Sequence, residues 1–323
     1  MLDLFTLESL PNTWLGKVTN FIRYFKGYSF FPYFVSFIIT NRCNLRCNFC
    51  YQKKLLKNSQ ELDFNFDDIE LVEKNINSFL FKPNIHIFGG EPMLHQNFID
   101  IMNYFDEKGN KLYITSNGTK LKYYSRELLN LKNLKEINIS LNMKNWNKII
   151  KTMEELKETK NVRINAIFTL SSQNCHKIST VIKTFKNVNI DSIILQHLIF
   201  FNYSNHDVDV DLILSQLSSI ENVFKPSLRF FPPIKIKDIK NYYENPDFPN
   251  KNKCLKPWFV VMILPNGDVI PCEQENPKLV GNIKREPLVK IWNNDKFRSF
   301  REKIQNKGLN DNMCFRCCHR QFY

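Results

Sequence analysis

The sequence predicts an α/β protein: a parallel sheet built from six strand–helix units, open or curled into a partial barrel, with a smaller unit after it. Three observations carry this. Apolar strand-like runs alternate with amphipathic helical stretches from Val35 to Leu198, recurring about every 25 to 28 residues after the first, a plausible length for right-handed crossovers. Polar loop residues gather after the strands, where parallel strand–helix folds bind ligands. Beyond Phe200 the alternation lapses, and a second group of cysteines follows.

Val35–Thr40 reads as the first strand, and the helix of its unit runs from Asp67 to Leu80. Strands follow at 84–88, 111–115, 136–141, 162–170 and 191–198, with helices at 97–107, 122–131, 145–158 and 175–186 between them. Residues 210–224 carry Ile213, Leu217, Ile220 and Phe224 on one helical face. Residues 242–253 read as a linker. Trp258–Leu264 and Val269–Cys272 flank Pro265-Asn266-Gly267-Asp268, a hairpin turn in which Asn-Gly supplies positive φ. The expected divisions are an N-terminal extension over 1–34, a core over 35–200, a connecting segment over 201–253 and a C-terminal domain over 254–323.

The 323 residues suffice for a substantial core. Lys+Arg is 45 against 32 Asp+Glu, a formal charge of +13 that favours acidic partners or merely solvates the surface. No block of like charges marks a nucleic-acid arm, so no nucleic-acid partner is predicted. Nine cysteines, odd in number and clustered, suit metal binding in a reducing cytoplasm better than a disulfide framework. Met1-Leu2-Asp3-Leu4 lacks a basic n-region, so no signal peptide is expected. Trp14 to Phe25 reads as a basic amphipathic helix. It would either contact a membrane surface peripherally or cap the end of a barrel, and the second reading is favoured.

Cys43, Cys47 and Cys50 stand in a C-x3-C-x2-C spacing just after the first strand. Three thiolates can converge on one metal or cluster but leave a ligand position open, which is how a metal site does chemistry. A structural zinc site would want a fourth ligand nearby, and the next histidine is His86, beyond a helix. Gly89-Gly90-Glu91-Pro92 follows the second strand, Ser116 and Asn117 the third, and Ser140 and Asn142 close the fourth. Near the C-terminus, Cys254 and Cys272 flank the hairpin, and Cys314 and Cys317 form a C-x2-C pair beside Cys318. By spacing alone these four fit an iron–sulfur cluster or zinc equally well.

The loop from Cys43 to Tyr51, with Phe49 before its third cysteine, resembles the signature of the radical S-adenosylmethionine (radical SAM) enzymes. Gly89-Gly90-Glu91-Pro92 resembles their second element. The resemblance implies a partial (β/α)6 TIM-like barrel. It also implies a four-iron, four-sulfur cluster held by Cys43, Cys47 and Cys50, with SAM on its open iron. Phe49 would lie near the adenine, and Gly89 to Pro92 with Glu91 would take the SAM ammonium. Ser116, Asn117, Ser140 and Asn142 match, more loosely, positions that bind the SAM ribose and carboxylate; relatives often carry aspartate at Asn142. Cys254, Gly267 and Cys272, with Gly281-Asn282-Ile283 and Ile291-Trp292, resemble the SPASM domain. So few cysteines remain that its shortened form, the α+β twitch domain, is implied. It would have one auxiliary four-iron cluster on Cys254, Cys272, Cys314 and Cys317, with Cys318 a rival for the last place.

By the same resemblance, a reduced cluster cleaves SAM to a 5′-deoxyadenosyl radical that takes a hydrogen atom from substrate, and a flavodoxin or ferredoxin supplies the electron. The favoured outcome is oxidation of a sugar or polyol, with the auxiliary cluster as electron acceptor. The alternative is crosslinking or epimerisation of a ribosomal peptide, for which Cys175 or Cys318 would return a hydrogen atom. A reading from another class is a non-catalytic protein with two zinc sites. His197, Glu273 and His319 are candidate bases without an assigned role.

Overall fold

The structure is a computed structural model. It describes residues 27–47, 50, 62–141, 146–197, 208–218, 227–245, 254, 256–272 and 278–307. Phe49, Asn142, Glu273, Cys314, Cys317, Cys318, His319 and the amphipathic stretch 14–25 lie outside the described residues.

Six parallel strands stand where the sequence places them: β1 Phe34–Thr40, β2 Asn84–Gly89, β3 Leu112–Ser116, β4 Leu134–Ser140, β5 Arg163–Thr169 and β6 Ser192–Gln196. Between them run α1 Ile69–Ile76, α2 Phe98–Glu107, α3 Leu121–Asn130, α4 Trp146–Thr159 and α5 Ile178–Phe185. The sheet goes on beyond the six units. After α6, Val210–Ser218, a seventh strand β7, Ser227–Phe231, pairs parallel with β6 inside the expected connecting segment. Only five residues long and centred on Arg229, its brief Ser-Leu-Arg-Phe alternation is too short for sequence reading to separate from a loop.

The C-terminal residues also join this sheet. A helical turn, Lys256–Phe259, replaces the start of the expected strand, and β8, Val260–Ile263, lies parallel to β1, with Phe34 opposite Val260. Strands β9, Asp268–Ile270, and β10, Gly281–Asn282, continue antiparallel, giving the order β10-β9-β8-β1-β2-β3-β4-β5-β6-β7. Gly267 takes φ +87 in the hairpin turn, as the Asn-Gly pair predicts. All seven residues of β1 are buried, which suits a strand paired on both edges and covered on both faces.

Strand alternation separates two faces. Phe37, Ile87, Ile114, Ile139, Phe168 and Leu195 face the helices and pack with Val72, Ile101, Leu128, Met153 and Val181, all at most 1% exposed. Each such side chain contributes roughly 1.5–3 kcal/mol by leaving water. The other face is mixed. Phe34 meets Tyr113 edge-on, ring centroids 4.8 Å apart, toward the strands' amino ends. Farther along, His86 contacts Ser36 and Thr115 through its two ring nitrogens, at 3.3 and 2.8 Å. A directional chain crosses three strands: Ser192 donates to Asn165, Asn165 to Asn138 and Asn138 to Glu136. Glu136 is fully buried and paired with Arg163 at 3.0 Å.

Residues 27–29 are locked to the C-terminal part. Arg301 lies between Trp292 and Phe297, its guanidinium carbon 4.1 Å from each ring centroid. It donates to Pro257 O, Gly27 O and Asn293 Oδ1. Burial pushes its pKa down to about 9. Among the described residues, no helix is long and apolar enough to cross a membrane.

Candidate functional site

The site forms at the carboxyl ends of β1, β2 and β3. Chain leaving β1 is pinned at its base: Asn41 N donates to Leu62 O and Phe64 N to Ile39 O, so residues 62–64 return antiparallel to 39–41. Asp63 accepts from Thr40 Oγ1 at 2.5 Å and from Arg42 Nε at 3.0 Å. Arg42 also reaches Leu94 O at 3.1 Å. The Arg42–Asp63 pair is about one-third exposed, so its value lies in fixing geometry more than in stability, where such pairs contribute roughly 0–1 kcal/mol.

Gly89 and Gly90 are required by backbone, not only by a ligand. Gly90 N donates to Thr40 O at 2.9 Å and Glu91 N to Arg42 O at 2.7 Å. A Cβ on Gly90 would stand 2.0 Å from Arg42 O, and one on Gly89, at φ +146, 2.4 Å from Thr40 O. No side chain fits there without moving the root of the cysteine loop.

Glu91 is fully buried. Its carboxylate accepts from Met93 N at 3.1 Å, Ser116 Oγ at 2.8 Å and Asn117 N at 2.7 Å. Burial pushes its pKa up, and the donors from Asn117, Ser116 and Met93 oppose that shift. The expected SAM-ammonium partner is thus also the tie between the β2 and β3 loops. Pro92 opens a short 3-10 turn, Pro92–Leu94, for which Glu91 is the capping residue. Asn117 extends the tie to the cysteines. Its Nδ2 donates to Asn44 Oδ1 at 2.9 Å and lies 3.9 Å from Cys43 Sγ. Ser140 is half-buried at the end of β4, opposite Ile167.

Cys43 is exposed, and Cys47 and Cys50 are half-buried. Cys50 N donates to Cys47 O at 3.2 Å, and Leu45 N lies 3.4 Å from Cys43 Sγ. Partial burial of its sulfur pushes the Cys43 thiol above its ordinary pKa, and Glu91, Cys50 and Cys47 push the same way, against the Leu45 N–H. Among the described residues, no three ligand side chains meet at metal-binding distance. Three soft sulfur donors on a single loop at the carboxyl end of β1 nevertheless fit an iron–sulfur cluster.

Cys254 is buried and Cys272 half-buried. The register Met262 to Ile270 carries Cys272 back toward the start of β8, which Cys254 precedes. Because β8 runs parallel to β1, the two cysteine groups lie toward opposite ends of β1. The described C-terminal residues extend the sheet beside β1.

Two candidates turn away from the mouth. His197 N donates to Phe231 O, while the ring is fully buried in the outer layer against Tyr242 and Tyr243, and Nδ1 contacts the Tyr243 hydroxyl. Burial pushes its pKa down to about 3, so it is neutral at physiological pH and unreachable as a base. Cys175, 2% exposed, packs in the helix-covered core 3.8 Å from Ser172 O, away from any hydrogen-atom transfer at the mouth. Sequence reading missed the polar chain inside the sheet. Its signal was present in the strict alternation Glu136-Ile137-Asn138-Ile139-Ser140, unusual in a parallel strand covered on both sides.

The model of the radical SAM superfamily matches residues 37–195, and that of an iron–sulfur cluster-binding domain, SPASM, matches 254–318. A tungsten-containing aldehyde ferredoxin oxidoreductase cofactor-modifying protein of Pyrococcus furiosus is 23% identical over 311 residues, covering 83% of each chain. The antilisterial bacteriocin subtilosin biosynthesis protein AlbA of Bacillus subtilis is 35% identical over 101 residues, covering 30% of this chain and 21% of that protein. Among solved structures, Streptococcus suis SuiB bound to precursor peptide SuiA superposes with a TM-score of 0.61 at 15% identity, over 88% of this chain and 69% of that one.

Proposed function

We propose that this chain, which belongs to the radical SAM superfamily and carries a SPASM iron–sulfur cluster-binding domain, is an enzyme that modifies a peptide. Its cofactors are S-adenosylmethionine and two four-iron, four-sulfur clusters, one binding SAM and one auxiliary, and the zinc reading is set aside. Cys43, Cys47 and Cys50 are the proposed ligands of the first cluster. Cys254 and Cys272, with Cys314 and Cys317, are those proposed for the second. Held by these residues, the first cluster and SAM would supply the one-electron chemistry that removes a hydrogen atom from substrate.

The chain's own part is placement. Gly89, Gly90 and Glu91 hold the loops after β1, β2 and β3 in one rigid rim. Gly89 to Pro92, Ser116, Asn117 and Ser140, with Phe49 and Asn142, are the proposed SAM contacts.

The observation that carries the peptide reading is the open flank of the sheet. Among the described residues, β7 has one neighbouring strand and no partner on its outer edge, which suits a polymer laid across the sheet. The subtilosin relative and the SuiB fold seen with a precursor peptide support it. Polyol oxidation has less support. A second small-molecule reading, modification of an enzyme cofactor, is favoured by the breadth of the Pyrococcus match.

The test uses anaerobic, dithionite-reduced protein with SAM and three separate panels: synthetic peptides, polyols and tungsten-enzyme cofactors. The expected result is 5′-deoxyadenosine formation that rises only with peptide, together with a mass change on that peptide. A rise only with polyols or cofactors overturns the reading.

A further inference from the structure

The cysteine loop is held from outside at Asn44. Its Oδ1 accepts from Asn117 Nδ2 at 2.9 Å, and its Nδ2 donates to Thr119 Oγ1 at 2.9 Å. Thr119 donates its hydroxyl to Asn117 Oδ1 at 2.6 Å, and Thr119 N donates to the same oxygen at 3.0 Å. The three side chains close a ring in which each donates to the next. Its direction is fixed, because the hydroxyl has a single hydrogen and spends it on Asn117.

That direction decides what Cys43 meets. Thr119 N–H demands an oxygen opposite it, so the Asn117 amide cannot flip, and its NH2 end is the one turned toward the loop. Asn117 Nδ2 lies 3.9 Å from Cys43 Sγ, and Leu45 N, from the loop itself, lies 3.4 Å from the same sulfur. Asn117 is 9% exposed, so its amide sits where water screens little. A turn-forming asparagine would account for the Thr119 N bond alone. It would need neither Asn44 nor an amide N–H beside a sulfur.

We propose that Asn44 and Thr119 are positioning residues that, through Asn117, aim an N–H at Cys43 and so raise the reduction potential of the cluster Cys43 would help to hold. The inference rests on the first-cluster reading above. Hydrogen bonds to cluster sulfurs help set the potential, and groups behind the ligands orient them. A donor aimed at a thiolate favours the more negative, reduced state. Neither Asn44 nor Thr119 is a proposed ligand of iron or of SAM.

The measurement is the midpoint potential of the first cluster in the anaerobically reconstituted full chain, followed by low-temperature EPR. Its signal is separated from the auxiliary one by its change when SAM is added. Thr119→Val removes the hydroxyl at nearly constant volume and opens the ring. The ratio of reduced to oxidised first cluster at a fixed potential is expected to fall about tenfold, or about 59 mV for one electron. Asn44→Ala, at an exposed position, should shift it in the same direction and carries the test if Thr119→Val loses iron. Thr119→Ser keeps the hydroxyl and should stay within about twofold of the parent ratio. Ser125→Ala, whose hydroxyl bonds only within its own helix at Lys122 O, should not shift it. Asn117 is left unaltered, being a proposed SAM contact.

The auxiliary signal should keep its midpoint in every variant. Iron content and thermal midpoint report folding. The inference is overturned if Thr119→Val and Asn44→Ala both titrate with the parent, or if Thr119→Ser shifts as far as Thr119→Val. It is overturned as well if iron content and thermal midpoint fall while the potential of the remaining cluster stays. A parent chain with no SAM-responsive four-iron signal overturns the cluster reading and this inference with it.

Discussion

Around the carboxyl ends of β1 and β2 the chain is tied to itself repeatedly, whereas β7, among the described residues, stands last in the sheet with one neighbouring strand. The first region has backbone bonds from Gly90 and Glu91 to Thr40 and Arg42, two glycines pressed on carbonyl oxygens, and a buried carboxylate holding three donors. The second has one neighbouring strand, an apolar hollow and two cations. A cofactor that must be cleaved at one bond needs partners held within a fraction of an ångström. A substrate that must enter and leave needs an edge left open.

The contrast can be broken most severely at Gly90. Gly90→Ala puts a methyl 2.0 Å from Arg42 O, so the cysteine loop must shift. Loss of at least about a hundredfold in 5′-deoxyadenosine formation is expected, equivalent to about 2.7 kcal/mol of barrier. Chromatography of reduced reactions checks it.

Glu91→Gln comes next. The amide turns an NH2 toward groups that donate, which should cost about 1–3 kcal/mol in denaturant unfolding and raise KM for SAM. A carboxylate needed only for the ammonium would change KM without changing stability.

Acid probes the layer behind β6. His197 has its pKa depressed to about 3 in the folded state, against 6.5 when free. Its contribution is fully present above pH 6.5 and is lost as pH falls toward 3, at up to about 1.4 kcal/mol per pH unit. Glu91 acts in the opposite sense: its raised pKa gives stability at low pH that is lost as pH rises through the folded value. Unfolding midpoints between pH 4 and 7 in the parent and in His197→Phe should differ in slope, the variant being flatter.

The smallest effect is expected at the open flank. Lys235 is exposed, so Lys235→Ala should change unfolding free energy by less than about 0.5 kcal/mol. A larger loss would make the flank part of the frame and would erase the contrast.

Much of this was legible without coordinates. Six strands begin and end within two residues of their predicted bounds, because long apolar runs punctuated by Gly, Asn and Pro admit few other readings. The loops carrying Cys43, Gly89 and Ser116 were assigned to one end by parallel topology alone, and Glu91, Ser116, Asn117 and Asn44 do meet there. The seventh strand was not legible, since Ser-Leu-Arg-Phe-Phe has strand character only when β6 offers it a ladder. Nor was the direction of His197 or Cys175, which depends on which face of the sheet the helices cover.

The order of residues alone determined the sulfur and glycine spacings, the strand–helix rhythm and the positive φ at Gly267, because these depend on neighbours a few positions apart. Folding in three dimensions decided that β8 would complete β1, that Gly90 would press on Arg42, and that β7 would join β6. Those outcomes turn on contacts between segments tens to hundreds of residues apart, where which surface is buried, and against what, is settled only when the sheet has formed.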